Sequence, residues 1–239
     1  MNTIPFNKRN VKMIAHRGVS GLECENTCAA FVAAGNRSYF GIETDTHMTA
    51  DGQFAIIHDA NTLRVSGVDA NVEELPYEAL RDIRLYDREE GVRRNDLVVP
   101  LLSDYIRICH RYDKIAVLEL KGPSHPEEYK EMVALIDSFG HLDKTVFITF
   151  GRQNAEDIRA AAPTSKVQFL TNTWDDALLP WMHEHRFDLD INHKAVTPEL
   201  VELIHGEGME INCWTVNNPE RGEELAEMGV DYITTNILE

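Results

Sequence analysis

Short runs of apolar and β-branched residues recur along the chain, separated by stretches in which apolar residues return every three or four positions. Eight runs read as strands: Lys12 to His16, Phe40 to Asp45, Ile115 to Leu120, Thr145 to Phe150, Lys166 to Leu170, Phe187 to Ile191, Ile211 to Thr215 and Asp231 to Thr235. Between them, Cys28, Phe31, Val32 and Gly35 share one face of a helix, and Tyr129, Met132, Val133 and Ile136 share another. Helix starts are marked by Asn26-Thr27, Pro126 and Thr197-Pro198, and stops by Gly35, Gly140, Gly208 and Gly229. From the fourth strand onward the units begin at 145, 166, 187, 209 and 231, a cadence that suits compact βα units. Eight such units predict a closed α/β (β/α)8 TIM barrel. The alternative, an open doubly wound sheet, lacks a Gly-x-Gly-x-x-Gly after its first strand.

Two places break the alternation. Residues 60–99 are a small insertion after the second strand, polar and rich in both signs of charge, with a weak helical pattern from Glu73 to Ile83. A helix from Leu101 to Tyr112 then restores the alternation. After Thr235 only four residues follow, too few for a full helix, so the last helix is expected to be truncated or absent. With no linker or low-complexity segment, 1–239 reads as a single barrel domain with 60–99 inserted in it.

Charge narrows the partners. With 23 basic and 40 acidic side chains the formal charge is −17, which repels nucleic acids and anionic membrane surfaces at long range. An anionic substrate would have to be drawn by a few cations within a cleft, for which Arg17 and Lys121 are candidates. Cys24, Cys28, Cys109 and Cys213 form no Cys-x-x-Cys pair and read as buried or half-buried reduced thiols, with no zinc site. Met1 to Val11 has no apolar run of signal-peptide length, and no segment approaches a membrane span. A cytoplasmic protein without stable membrane insertion is the expectation.

The chemistry concentrates between Met13 and Asp59. Glu43 and Asp45 alternate along the second strand and so project to one face near its C-terminal end; Glu119 and Lys121 do the same on the third. Three carboxylates from neighbouring strands make an oxygen-rich nest for one hard divalent cation, Mg²⁺ or Ca²⁺. The other reading is that Glu43 and Asp45 pair with Arg17 or Lys121. His16 ends the first strand and His58 ends the run Phe54 to Ile57, so both could overlook the carboxylates. Two imidazoles titrating near neutrality suit the proton transfers of phosphodiester hydrolysis, and Arg17 and Lys121 could hold phosphate oxygens.

His16-Arg17-Gly18, Glu25-Asn26-Thr27, Gly41-Ile42-Glu43-Thr44-Asp45, Thr49-Ala50-Asp51-Gly52, His58-Asp59, Leu118-Glu119-Leu120-Lys121 and Trp214-Thr215-Val216-Asn217 resemble, in order, the motifs of the glycerophosphodiester phosphodiesterase family. The resemblance implies a barrel with an insertion after its second strand. It also implies hydrolysis of small-molecule glycerophosphodiesters to sn-glycerol 3-phosphate and an alcohol. Residue by residue it implies His16 and His58 as the acid/base pair, Glu43, Asp45 and Glu119 as metal ligands, and Arg17 and Lys121 as phosphate contacts. Two departures are visible: Asn236 follows Thr235 where the family usually has Asp, and Gly35 to Phe40 is an unusual approach to the second strand. Neither is expected to touch the catalytic set.

Several residues stay open at this level. Glu25 and Asp59 read equally as caps or as supports of the site. His47 continues the alternation of Glu43 and Asp45 but is expected to lie beyond the strand. Trp214 is either rim packing or pocket lining, and Phe150, Gln168 and His193 sit at other strand ends. The histidines at 110, 125, 141, 183, 185 and 205 read as solvated. The rival functions are a lysophospholipase D or phospholipase C-like phosphodiesterase, and a non-catalytic barrel that binds a phosphate ligand. The first needs an apolar or basic docking surface. The insertion instead mixes Asp82, Asp87, Glu89, Glu90 and Asp96 with Arg81, Arg84, Arg88, Arg93 and Arg94.

Overall fold

A computed structural model describes residues 2–88 and 92–239, so that Glu89 and Glu90 of the insertion lie outside the described residues. The strands are β1 (Lys12–Ala15), β2 (Gly41–Met48), β3 (Phe54–Ile56), β4 (Ile115–Leu120), β5 (Thr145–Thr149), β6 (Lys166–Thr171), β7 (Asp188–Asn192), β8 (Ile211–Trp214) and β9 (Tyr232–Thr235). All but β3 run parallel in the order β1-β2-β4-β5-β6-β7-β8-β9, and β9 pairs back onto β1. The expected eight-stranded barrel is therefore closed.

The helices are α1 (Cys28–Gly35), α2 (Leu63–Ser66), α3 (Tyr77–Asp82), α4 (Leu102–Tyr112), α5 (Pro126–Ser138), α6 (Arg152–Ala161), α7 (Leu179–His185), α8 (Pro198–Gly206) and α9 (Pro219–Met228). Among the described residues no helix follows β9, and the chain instead bridges Leu238 to Ile4. Thr27, Thr197 and Asn218 cap α1, α8 and α9 by accepting a backbone N–H, and Pro occupies the first turn of α5, α8 and α9.

The core has two parts, as strand alternation requires. Outward-facing residues such as Ala116, Leu118, Phe147 and Leu189 pack against the helices. Inward-facing Ile14, Val117, Ile148, Leu170 and Tyr232 fill the barrel. The buried face of α1 differs from the expected one: Ala30, Phe31, Ala34 and Gly35 are buried, whereas Cys28 and Val32 are exposed. Small residues let α1 lie close against α4, where a Cβ on Gly35 would come within 2.5 Å of the Tyr112 ring. Counting large apolar side chains pointed to the wrong stripe.

The starts of the second and third expected strands lie 75 residues apart, and the span between them holds β3, α2, α3 and α4. β3 folds back antiparallel on β2, with Thr46 opposite Ile56 and Met48 opposite Phe54. The turn between them is tied by Thr49, whose hydroxyl accepts from the Gln53 N–H and donates to Asp51, with Gly52 at φ 76°. The insertion is not only polar. Val72, Leu80, Leu85, Leu97 and Val99 form a small core of their own with Cys24, Ala55 and Ile57.

His141 corrects the expectation that it is solvated. It is 1% exposed, its Nε2 faces the Lys114 carbonyl at 3.0 Å, and its carbonyl accepts from the Thr145 hydroxyl. Burial holds the imidazole below its ordinary pKa, so the unfolded chain binds the proton more readily than the folded one. Stability from this residue is then complete above about pH 6.5, the unfolded value, and is lost as pH falls through the lower folded value. The melting temperature of wild type should drop more between pH 7 and 5.5 than that of His141→Gln. Equal drops in the two proteins would place the acid sensitivity elsewhere.

Candidate active site

Glu43, Asp45 and Glu119 come together inside the barrel, with Asp45 and Glu119 near the end of the parallel β2–β4 pairing, the end at which barrel enzymes place their chemistry. Register explains the meeting. Asp45 lies directly opposite Glu119 in the parallel pair, and Glu43 is two residues back on the same inward face. The three offer carboxylate oxygens within 4.8 Å of one another, and all three residues are buried.

Such proximity is electrostatically costly, and the protonation preferences show how it is shared. Burial, together with Asp45 and Glu119, raises Glu43 well above the usual carboxylate range. Burial and Asp45 push Glu119 up to about 7. Burial alone would also raise Asp45, but Lys121 and Arg17 outweigh it and hold it ionised. Lys121 Nζ donates to Glu119 Oε1 at 2.6 Å and lies 3.1 Å from Asp45 Oδ1. Glu43 Oε1 is buried with no hydrogen-bond partner, and Asp45 Oδ1 is held only by this ion pair. An orphaned oxygen in a cluster of three buried carboxylates is what a divalent cation would satisfy, and the residues present fit such an ion.

The loop after β1 supplies the guanidinium and one imidazole. Arg17 and Gly18 both take positive φ, 53° and 75°, which turns the chain sharply across the barrel mouth. A Cβ on Gly18 would come within 2.6 Å of Ala30, so glycine is needed there for space as well as for conformation. The Arg17 N–H donates to Glu43 Oε2 at 2.8 Å, its Nη1 donates to Glu25 Oε1 at 2.8 Å, and its Nε lies 3.5 Å from Asp45 Oδ2. Asn26 joins the same group by donating to Asp45 Oδ2 while accepting from Thr44. Arg17 and Lys121 are thus each engaged with the carboxylates and also border the cavity.

His16 Nδ1 lies 2.6 Å from Asn236 Oδ1, an oxygen that can only accept, so the ring proton sits on Nδ1 and Nε2 is left as a base. Nε2 is 3.9 Å from Glu43 Oε2. Burial, aided by Arg17, pulls this imidazole down to about 4. Asn236 was expected to stand apart from the catalytic set, but it holds His16 directly. The expectation failed because the residue after a barrel strand lies on the rim beside its neighbour, β1, however far away it is in sequence.

His58 arrives by the hairpin. The Ile57 N–H donates to the Asp45 carbonyl, so the segment leaving β3 passes over the end of β2. His58 Nδ1 lies 2.6 Å from Asp59 Oδ1, and burial lowers its pKa against the pull of Asp45. His47 is part of β2 and is buried, rather than lying beyond the strand. It is outside the carboxylate triad: its Nε2 faces the His58 carbonyl and its Nδ1 faces Glu73, both at 3.1 Å.

His16, Arg17, Glu43, His58, Glu119 and Lys121 line a cavity of about 200 Å³, walled on the far side by Phe150, Leu170 and Trp214. Trp214 packs edge to face on Phe150 at 5.6 Å, and its indole N–H is buried without a partner. His193 lies outside this wall, and Gln168 sits deeper in the barrel. Sequence reasoning missed Asp190, which lines the same cavity. Burial raises its carboxyl far above the usual range, one oxygen accepts from Asn212, and the other has no partner. It lies inside a run read only as a strand, and no motif marks it. A second cavity, of about 190 Å³, shares Lys121 but lies between the β2–β3 turn and α5, away from the carboxylates.

Residues 16–239 match the model of the Glycerophosphoryl diester phosphodiesterase family. The chain is 26% identical over 233 residues to a glycerophosphodiester phosphodiesterase of Caldanaerobacter subterraneus subsp. tengcongensis, covering 94% of this chain and 93% of the relative. A Parabacteroides distasonis glycerophosphodiester phosphodiesterase superposes with a TM-score of 0.80 at 26% identity, over 95% and 93% of the two chains. The fold is shared with an Oleispira antarctica phosphodiesterase solved with its product sn-glycerol-3-phosphate, with a TM-score of 0.83, 21% identity and coverage of 98% and 96%. A closed barrel with this residue set at its mouth, matched over nearly its whole length, belongs to the glycerophosphoryl diester phosphodiesterase family.

Proposed function

We propose that the protein is a metal-dependent phosphodiesterase that hydrolyses glycerophosphodiesters to sn-glycerol 3-phosphate and an alcohol. The observation that carries the reading is the buried triad Glu43, Asp45 and Glu119 between two imidazoles at the mouth of a family barrel. The triad would hold one cation, Mg²⁺ or Ca²⁺, which when bound supplies electrostatic stabilisation of charge on the phosphate oxygens. Arg17 and Lys121, which border the cavity, would contact those oxygens and offset their charge.

The two histidines differ in their supports. His16 leans on a neutral amide and is buried into its neutral form, which suits the base that takes the proton from the attacking oxygen. Burial lowers the His58 pKa, but the ring leans on a carboxylate, Asp59, which favours its protonated form more than an amide does and suits the acid that protonates the departing oxygen. We assign Trp214 to the wall of the pocket, and we treat 1–239 as one barrel domain with 60–99 inserted. Among the described residues no helix is long and apolar enough to cross a membrane.

The test is a panel of choline, ethanolamine, glycerol and inositol glycerophosphodiesters, assayed with Mg²⁺ and with Ca²⁺. Release of sn-glycerol 3-phosphate from at least one is expected. Release of a phosphorylated alcohol with free glycerol would instead reverse the assignment of the leaving group, and binding without turnover under either metal would make this a ligand-binding barrel.

A further inference from the structure

Among the described residues, Arg64 carries the insertion to the carboxylates that hold His58 and Arg17. Arg64, in α2, donates from Nε to Asp59 Oδ2 at 2.6 Å and from both Nη atoms to the two oxygens of Glu25 at 2.7 and 3.0 Å. Each carboxylate holds a different site group: Asp59 holds the His58 ring, and Glu25 holds the Arg17 guanidinium. The chain of contacts runs His58, Asp59, Arg64, Glu25, Arg17 and on to Asp45 without a break longer than 3.5 Å.

Arg64 is itself fixed. Thr62 and Ser66, on either side of it, are fully buried, with the Thr62 hydroxyl donating to the Val68 carbonyl and the Ser66 hydroxyl to the Thr62 carbonyl. Arg93 donates to the Ser66 carbonyl at 2.6 Å. Arg88 and Arg94 reach across from the insertion to the Ser20 carbonyl and to Glu23, on the same loop that carries Glu25. A guanidinium suits this three-bond bridge, since its planar fork offers donors in fixed directions, whereas an ammonium offers a point charge.

We infer that Arg64 is a positioning residue, through which the insertion sets the relative orientation of His58 and Arg17. This rests on the proposed phosphodiesterase reading. Its side chain is about half exposed, at 49%, so its ion pairs add little to stability and their value is directional. A small misplacement of reacting groups is enough to cost about 100-fold in rate.

The experiment compares wild type, Arg64→Ala and Arg64→Lys in kcat, KM and melting temperature on the best substrate of the panel. Both variants should melt near wild type and lose about 10- to 100-fold in kcat with a smaller change in KM, and guanidinium added to Arg64→Ala should restore part of the loss. Combining Arg64→Ala with Asp59→Asn should cost less than the product of the separate losses, because both break one network. A folded variant with kcat within twofold of wild type overturns the inference, and Arg64→Lys serves where the alanine variant does not fold. A wild type inactive on every diester would defeat the functional reading alone. The positioning role is then read from the His58 ring signals by NMR, where movement in Arg64→Lys supports it and unmoved signals overturn it.

Discussion

Replacing either His16 or His58 by alanine should lower kcat by about 10²- to 10⁴-fold while leaving the fold in place. The two side chains are 19% and 33% exposed at the cavity wall, so their loss opens little space in the core. Each ring has its Nδ1 engaged by a partner, Asn236 or Asp59, which leaves Nε2 as the working nitrogen. Among the described residues no other imidazole lines the cavity, and His47 is occupied by the His58 carbonyl and Glu73. The measurement is steady-state turnover of a glycerophosphodiester beside circular dichroism and thermal melting of each variant. Undiminished activity in both folded variants would remove the two-imidazole mechanism.

Chelation should abolish turnover reversibly, and the cation should stabilise the protein that binds it. Without a metal, burial and the neighbouring carboxylates raise Glu43 and Glu119, so the site holds protons that a cation would displace. At about 100 times its dissociation constant a ligand bound only by the folded state adds about 2.7 kcal/mol. For a chain of this size that is a rise of about 5–10 °C in melting temperature. Metal addition to chelator-treated wild type in weak buffer should therefore acidify the solution and raise the melting temperature, and Asp45→Asn should weaken both responses. Full turnover after exhaustive chelation, with no thermal shift on adding Mg²⁺ or Ca²⁺, would exclude the cation from this triad.

The barrel was legible because its evidence is periodic. Eight apolar runs, helix starts at Thr27, Pro126 and Thr197, and the carboxylate alternation on β2 are all local patterns, and the structure keeps each of them. Glu43, Asp45 and Glu119 could be placed together because strand alternation fixes a face and the parallel order fixes the neighbour. Asn236, Asp190 and Arg64 could not. Each acts across elements that meet only when the barrel closes or the insertion folds back, and none shares a local pattern with its partner. Helix α1 and His141 were misread for a related reason, since close packing by Ala and Gly and burial of one polar ring depend on the neighbour and not on the segment.

The β2–β3 hairpin has a bearing on how this barrel tolerates changes in length. His58 holds its place by counting back from Met48 through a turn of fixed size, and slipping an antiparallel pair by one residue turns each side chain to the opposite face. Removing one residue from Thr49 to Gly52 would then aim the imidazole away from the carboxylates even though every residue of the site remained in the sequence. Any recombination or grafting of this site must carry β2, its turn and β3 as one uncut piece.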